Sequence, residues 1–227
     1  MYSVSPEFLT AMDSPVQEHK VTGTIGSATF GPANILAGSF SINARLCSEQ
    51  EIQIGQVYIT ELSATFRNVS VNPGEWQGKV ITPVFSLKTE NGWEDVPLGV
   101  FTVQEATISA SGVTVKAYDN MAKFDQAFPG IDTYQNLTPY QWLTTMCSTC
   151  GVTLGTTQAA IEAMPNGTEV LGIHKDNDIE TWRDLLSWLA QVLAGFATIN
   201  RSGALEIRQF GNPTGLTMTA TERFAGA

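Results

Sequence analysis

The sequence predicts a β-rich chain of class β plus α+β, a small antiparallel β-barrel followed by a smaller α/β region. Two observations predict it. Apolar and polar residues alternate with a period of two, between glycine turns, through the first 118 or so residues. From about Asp119 onward the apolar spacing becomes helical. Hydrophobic residues make up 43% of the 227 residues and charged residues 15%, enough apolar material for a packed core.

The elements follow in order. Ser5-Pro6-Glu7 reads as an N-cap with proline at the first helical position, opening a short helix to about Met12. Alternation appears in residues 39–44 and again in 51–55, continues through Val57-Tyr58-Ile59 and residues 62–66, and resumes in residues 80–87. Asn91-Gly92 is a hairpin signal, because positive φ is cheap there. Residues 100–103 and 113–118 complete the strands, with a turn at Ser111-Gly112 between them. Many short strands with glycine turns favour a barrel or sandwich.

Next, residues 120–128 predict a short helix stopped by Pro129-Gly130. Thr138-Pro139 opens a helix that runs from Tyr140 to Cys150, with Gly151 as its stop. Residues 158–164 predict another short helix. The strongest helix signal starts at Asn177, with Glu180 as its capping-box partner. Ile179, Trp182, Leu185, Leu186, Leu189 and Val192 form its apolar face, and Gly195 ends it. Residues 196–199 and 204–208 form a hairpin about the turn at 200–203. The domain reading is therefore 1–128 for the β-barrel with its N-terminal helix, 129–211 for the α/β domain, and 212–227 for the start of a second barrel, cut short.

Charge and cysteine content exclude several function classes. With 22 acidic against 12 basic residues the formal charge is −10, and no basic patch is available for nucleic acid or anionic lipid. No run reaches the roughly 20 apolar residues of a membrane span. The N-terminus lacks the basic region of a secretory signal, so the sequons at Asn68, Asn136, Asn166 and Asn200 carry little weight. Three cysteines are too few for a disulfide framework, which fits a reducing cytosol.

Catalytic chemistry is hard to assemble. The histidines are His19 and His174, and no G-x-S-x-G elbow accompanies them. Cys147 and Cys150 have redox C-x-x-C spacing, but they sit at a helix C-terminus, where the dipole disfavours thiolate. A zinc site would need Cys47 and a histidine as further ligands. Glu49, Glu51, Asp95, Asp119 and Asp125 are available acids, but a glycosidase needs two of them facing across a cleft. No catalytic, cofactor or metal residues are assigned, and the chain is read as a non-enzyme. Trp76 and Trp93 stand beside turns. Exposed, they would serve as interface anchors or stack on sugars; folded back, each would cover a barrel end.

One ordered set of segments resembles a known family. Ile35-Leu36-Ala37-Gly38-Ser39-Phe40-Ser41-Ile42 and Glu51-Ile52-Gln53-Ile54-Gly55-Gln56-Val57 come first. Pro97-Leu98-Gly99-Val100-Phe101-Thr102-Val103 and Ala117-Tyr118-Asp119-Asn120-Met121-Ala122-Lys123-Phe124 follow. Cys150-Gly151-Val152 and the long helix leading to Gly195-Phe196-Ala197-Thr198-Ile199 complete the order, from about residue 20 to 210. No single segment is specific. In this order the chain resembles phage tail hub proteins: the N-terminal hub region of siphophage tail-tip proteins and the baseplate hubs of contractile tails.

The resemblance implies a homotrimer in which each chain supplies two similar β-barrels, so that three chains present six to a six-fold tail tube. It implies sister subunits, the tail tube, distal tail proteins and a tip or spike protein as partners, with the protein in the virion tail after assembly in the bacterial cytoplasm. Here residues 217–224 look like the approach to the second barrel. That departure leaves the ring incomplete within this stretch of chain. The alternatives are a carbohydrate-binding β module for host-surface recognition and a cell-wall hydrolase.

Overall fold

The computed structural model describes residues 3–45, 53–129, 135–173 and 178–211. Helix α1 (Pro6–Met12) starts where the sequence places it, and the Ser5 hydroxyl accepts a hydrogen bond from the Phe8 amide. Eight strands make the main sheet: β1 (His19–Ile25), β2 (Ala28–Phe30), β3 (Ser41–Asn43), β4 (Glu61–Phe66), β5 (Val80–Thr89), β6 (Gly92–Pro97), β7 (Phe101–Ser109) and β8 (Gly112–Asp119). Their order is β2-β1-β5-β7-β8-β4-β3, with β6 also on β5, and every pairing is antiparallel.

The sheet rolls around a core of Ile25, Phe30, Leu62, Phe66, Ile81, Phe101 and Val115, but it does not close into the barrel that the sequence predicts. Its end strands are three residues long. Between them a 3₁₀ turn at Pro32–Asn34 lifts the backbone out of line, and Pro32 has no N–H to give a ladder. The chain then lies along β4, with the Leu36 amide donating to Thr65 at 2.9 Å. The seam is closed by side chains, Phe30 meeting Phe66 edge-on at 5.0 Å.

Strand β1 has no counterpart among the strands read from the sequence. Its alternation is interrupted by Gly23, yet that glycine is what lets it pack. A Cβ there would lie 2.4 Å from the Thr82 carbonyl oxygen and 2.8 Å from the Phe30 ring. Of residues 51–55, the first two lie outside the described residues. Gln53–Gly55 form a turn rather than a strand, because Gly55 at φ 84° donates to the Gly195 carbonyl at 2.7 Å instead of joining the sheet.

The second core belongs to the α/β part. Helix α2 (Pro139–Cys150) has the expected Thr138 cap, with Gln141 returning the bond, and Gly151 at φ 65° ends it. Helix α3 (Gln158–Glu162) follows, and β9 (Gln135–Leu137) pairs with β10 (Leu171–Ile173). Helix α4 is Trp182–Val192. It starts later than predicted, because Thr181 and Asp184 make the capping box, with the Asp184 carboxylate accepting from the Thr181 amide at 2.8 Å. Asn177 lies outside the described residues, and Glu180 precedes the helix.

Ala194, at φ 52°, takes the left-handed position after α4 that the sequence assigns to Gly195. Gly195 instead opens β11 (Gly195–Ile199), where a Cβ would sit 2.4 Å from the Arg208 carbonyl oxygen on β12 (Leu205–Gln209). The stretch after β8 is a 3₁₀ turn over Asn120–Asp125, shorter than the predicted helix. Its Met121 and Phe124, with Phe128, pack among Trp142, Leu143, Leu186 and Leu205. Val57 and Ile59 join that same core. The two cores therefore share the chain on both sides of β4 and β8.

Candidate assembly surfaces

Among the described residues, the acidic candidates for chemistry are engaged within the fold. Asp119 ends β8 and is 6% exposed. Its carboxylate accepts from the Met121 amide at 3.0 Å, while its own amide donates to the Thr60 carbonyl at 3.0 Å. Burial pushes this carboxyl up to about 6, although hydrogen bonds from Thr60 and Met121 pull the other way. Asp95 accepts from the Ser86 hydroxyl at 2.5 Å, and Asp125 pairs with Arg183 at 2.7 Å. Glu49 and Glu51 lie outside the described residues.

The C-x-x-C pair points into the α2 core. Burial pushes Cys147 up to about 12, with Cys150 adding to it, and burial alone pushes Cys150 up to about 11. Thiols this weakly acidic are poor nucleophiles at neutral pH. Cys47 and His174 lie outside the described residues, while His19 stacks on Phe85 with ring centres 5.7 Å apart. Among the described residues no cluster of three histidine, cysteine or acidic side chains could hold a metal ion.

The structure separates the two candidate tryptophans. Trp76 is 2% exposed and stacks on Phe66 at 5.8 Å. It belongs to the sheet core, and its indole N–H is buried without a hydrogen-bond partner. Trp93, on β6, is 42% exposed, with the Lys20 ammonium 4.1 Å from its ring centre. It borders an open hollow of about 400 Å³ together with Ser5, Glu7, Glu94 and Asp95. Of the two tryptophans, Trp93 is the exposed one.

Two further surfaces are not legible in the sequence. Trp188 projects from α4 at 59% exposure, beside a cavity of about 300 Å³ lined by Trp142, Val170, Leu171, Leu185 and Leu189. Residue spacing places Trp188 off the main apolar stripe of α4, but its exposure depends on where the 170–173 segment lies. The second surface is backbone. Strand β7 runs past the start of β5, so from Glu105 to Ser109 it pairs only with β8, and all of these residues are exposed. Strand β6 pairs only with β5. An open strand edge presents unpaired N–H and C=O groups that another strand can satisfy.

No family model matches the chain, and no curated protein matches it. Among solved structures the chain is similar to the 43 kDa tail protein of prophage MuSo2 from Shewanella oneidensis, with a TM-score of 0.52 and 15% identity. The likeness covers 85% of this chain and 56% of that one, so this chain spans little more than half the length of the protein it matches. At this identity the likeness concerns the fold: an open β sheet with an attached α/β unit is an architecture shared with a prophage tail protein.

Proposed function

We propose that this chain is a structural component of a bacteriophage or prophage tail, acting within a homotrimeric hub that joins the tail tube to the tip or spike. The observation that carries this reading is the fold likeness over 85% of the chain to a prophage tail protein. The engagement of the described candidate acids within the fold, one of them buried, supports a scaffold rather than an enzyme. Of the candidate acids, the three among the described residues cap a turn (Asp119), accept from a serine (Asp95) or pair with an arginine (Asp125). A hub gains its stability from surface buried between subunits, and open strand edges with an exposed tryptophan supply such surface.

The test is particle morphology. Deleting the coding sequence from the phage or prophage that carries it, then imaging induced lysates by electron microscopy, is expected to leave heads without joined tails, or tails without tips. Particles with complete, tipped tails would refute the reading. The exposed ring of Trp93 beside its hollow favours a second reading, a carbohydrate-binding module. Glycan binding that is lost in Trp93→Ala, in a protein that stays a single chain, would replace the first reading with the second.

A further inference from the structure

Strands β6 and β7 lie in line on one side of β5, joined through residues 98–100. Strand β6 has β5 on one side, so its open edge faces away from β5. Strand β7 has β8 on that far side, so from Glu105 onward its open edge faces the other way. The two open edges thus look in opposite directions, the arrangement that head-to-tail association between copies requires.

The two-residue turn at Ala110-Ser111 makes Ser109 and Gly112 a hydrogen-bonded pair. Such pairs alternate with unbonded ones, so Ala106 and Ile108 turn their N–H and C=O groups outward. The turn at Glu90-Asn91 does the same for β6, leaving Trp93 and Asp95 outward. Ile108 is 59% exposed, and Trp93 is among the other exposed large apolar residues.

Natural edges are usually blunted by lysine, proline or shortness. Past its bulge at Val103/Glu105, the β7 edge from Ala106 to Ser109 carries no charge and no proline. Its Glu105 is offset by Lys116 at 4.0 Å, so the edge has little net charge to repel a second acidic chain. On β6 the acids are already engaged, Glu94 by Ser5 and Asp95 by Ser86.

We propose that the β7 edge of one copy pairs antiparallel with the β6 edge of a second copy, continuing the sheet between subunits, with Ile108 opposite Trp93 and Ala106 opposite Asp95. The proposal rests on the assembly reading above and names the surface through which sister subunits meet. Each opposed pair exchanges two backbone hydrogen bonds, and the Ile108–Trp93 contact adds an aromatic–aliphatic pair at the seam.

The experiment measures mass by light scattering on the whole chain across a concentration series, for wild type, Ala106→Pro and Ile108→Lys. Proline at 106 removes an outward N–H without touching the bonds to β8. Wild type is expected to exceed the mass of one chain, and both variants to fall back toward it. Should Ala106→Pro not fold, Ile108→Lys, altering only an exposed side chain, decides.

Register is tested with a mild thiol oxidant. A mixture of Ile108→Cys and Trp93→Cys proteins is expected to form a cross-linked dimer, while each variant alone, like wild type, does not. Association that survives both edge variants overturns the edge pairing and leaves the tail role standing. Wild type that stays a single chain throughout also overturns the pairing, whereas the tail role is judged separately by particle morphology.

Discussion

Asp119→Asn should change how the stability of the fold depends on pH. In the fold, burial raises the carboxyl from its ordinary 3.8 to about 6. A folded-state pKa above the unfolded value means that the fold binds the proton more tightly than the unfolded chain does. The group's stabilising contribution is therefore complete below about pH 4 and is lost as pH rises through about 6. Two pKa units correspond to roughly 3 kcal/mol at about 1.4 kcal/mol per unit.

Asparagine stays neutral throughout. Its amide also changes the hydrogen bonds with Thr60 and Met121, but that offset does not depend on pH. The stability of Asp119→Asn relative to wild type should therefore climb by up to about 3 kcal/mol between pH 4 and pH 8, most of it around pH 5 to 6. In a chain of this size that is roughly 6–12 °C in melting temperature. Urea or thermal unfolding of both proteins at matched pH values measures it. A stability difference that stays flat with pH would refute the claim that this carboxyl is strained by burial.

Three further outcomes follow from the packing. Gly23→Ala should destabilise by roughly 1–3 kcal/mol, because the new methyl meets a backbone carbonyl and the Phe30 ring, and unfolding by denaturant would show it. Trp142→Ala empties the centre of the α/β core and removes an indole bond to the Leu171 carbonyl at 3.3 Å. A loss of about 3–5 kcal/mol is expected, and a loss under about 1 kcal/mol would mean the site collapses freely. Cys147 and Cys150 should resist alkylation at pH 8 in the native protein and react rapidly once it is denatured; mass spectrometry of peptides reads both.

What the sequence determined alone is what short-range physics decides. Ser5-Pro6 and Thr138-Pro139 open helices because a hydroxyl and a fixed φ satisfy the first turn from within a few residues. Asn91-Gly92 and Ser111-Gly112 mark hairpins for a local reason too, although each turn lies one residue earlier and the glycine takes its positive φ as the first residue of the returning strand. The β-rich class and the change of period near Asp119 follow from alternation that each segment carries in itself. Tertiary structure decided what depends on residues far along the chain. Gly23 breaks the alternation of β1 but fits because the Phe30 ring and Thr82 fill its space. Trp76 and Trp93 both sit beside turns, yet one is sealed against Phe66 and the other faces solvent. The open edge of β7 depends on β5 beginning at Val80 while β7 runs on to Ser109, an offset between partners that neither strand's own residues encode.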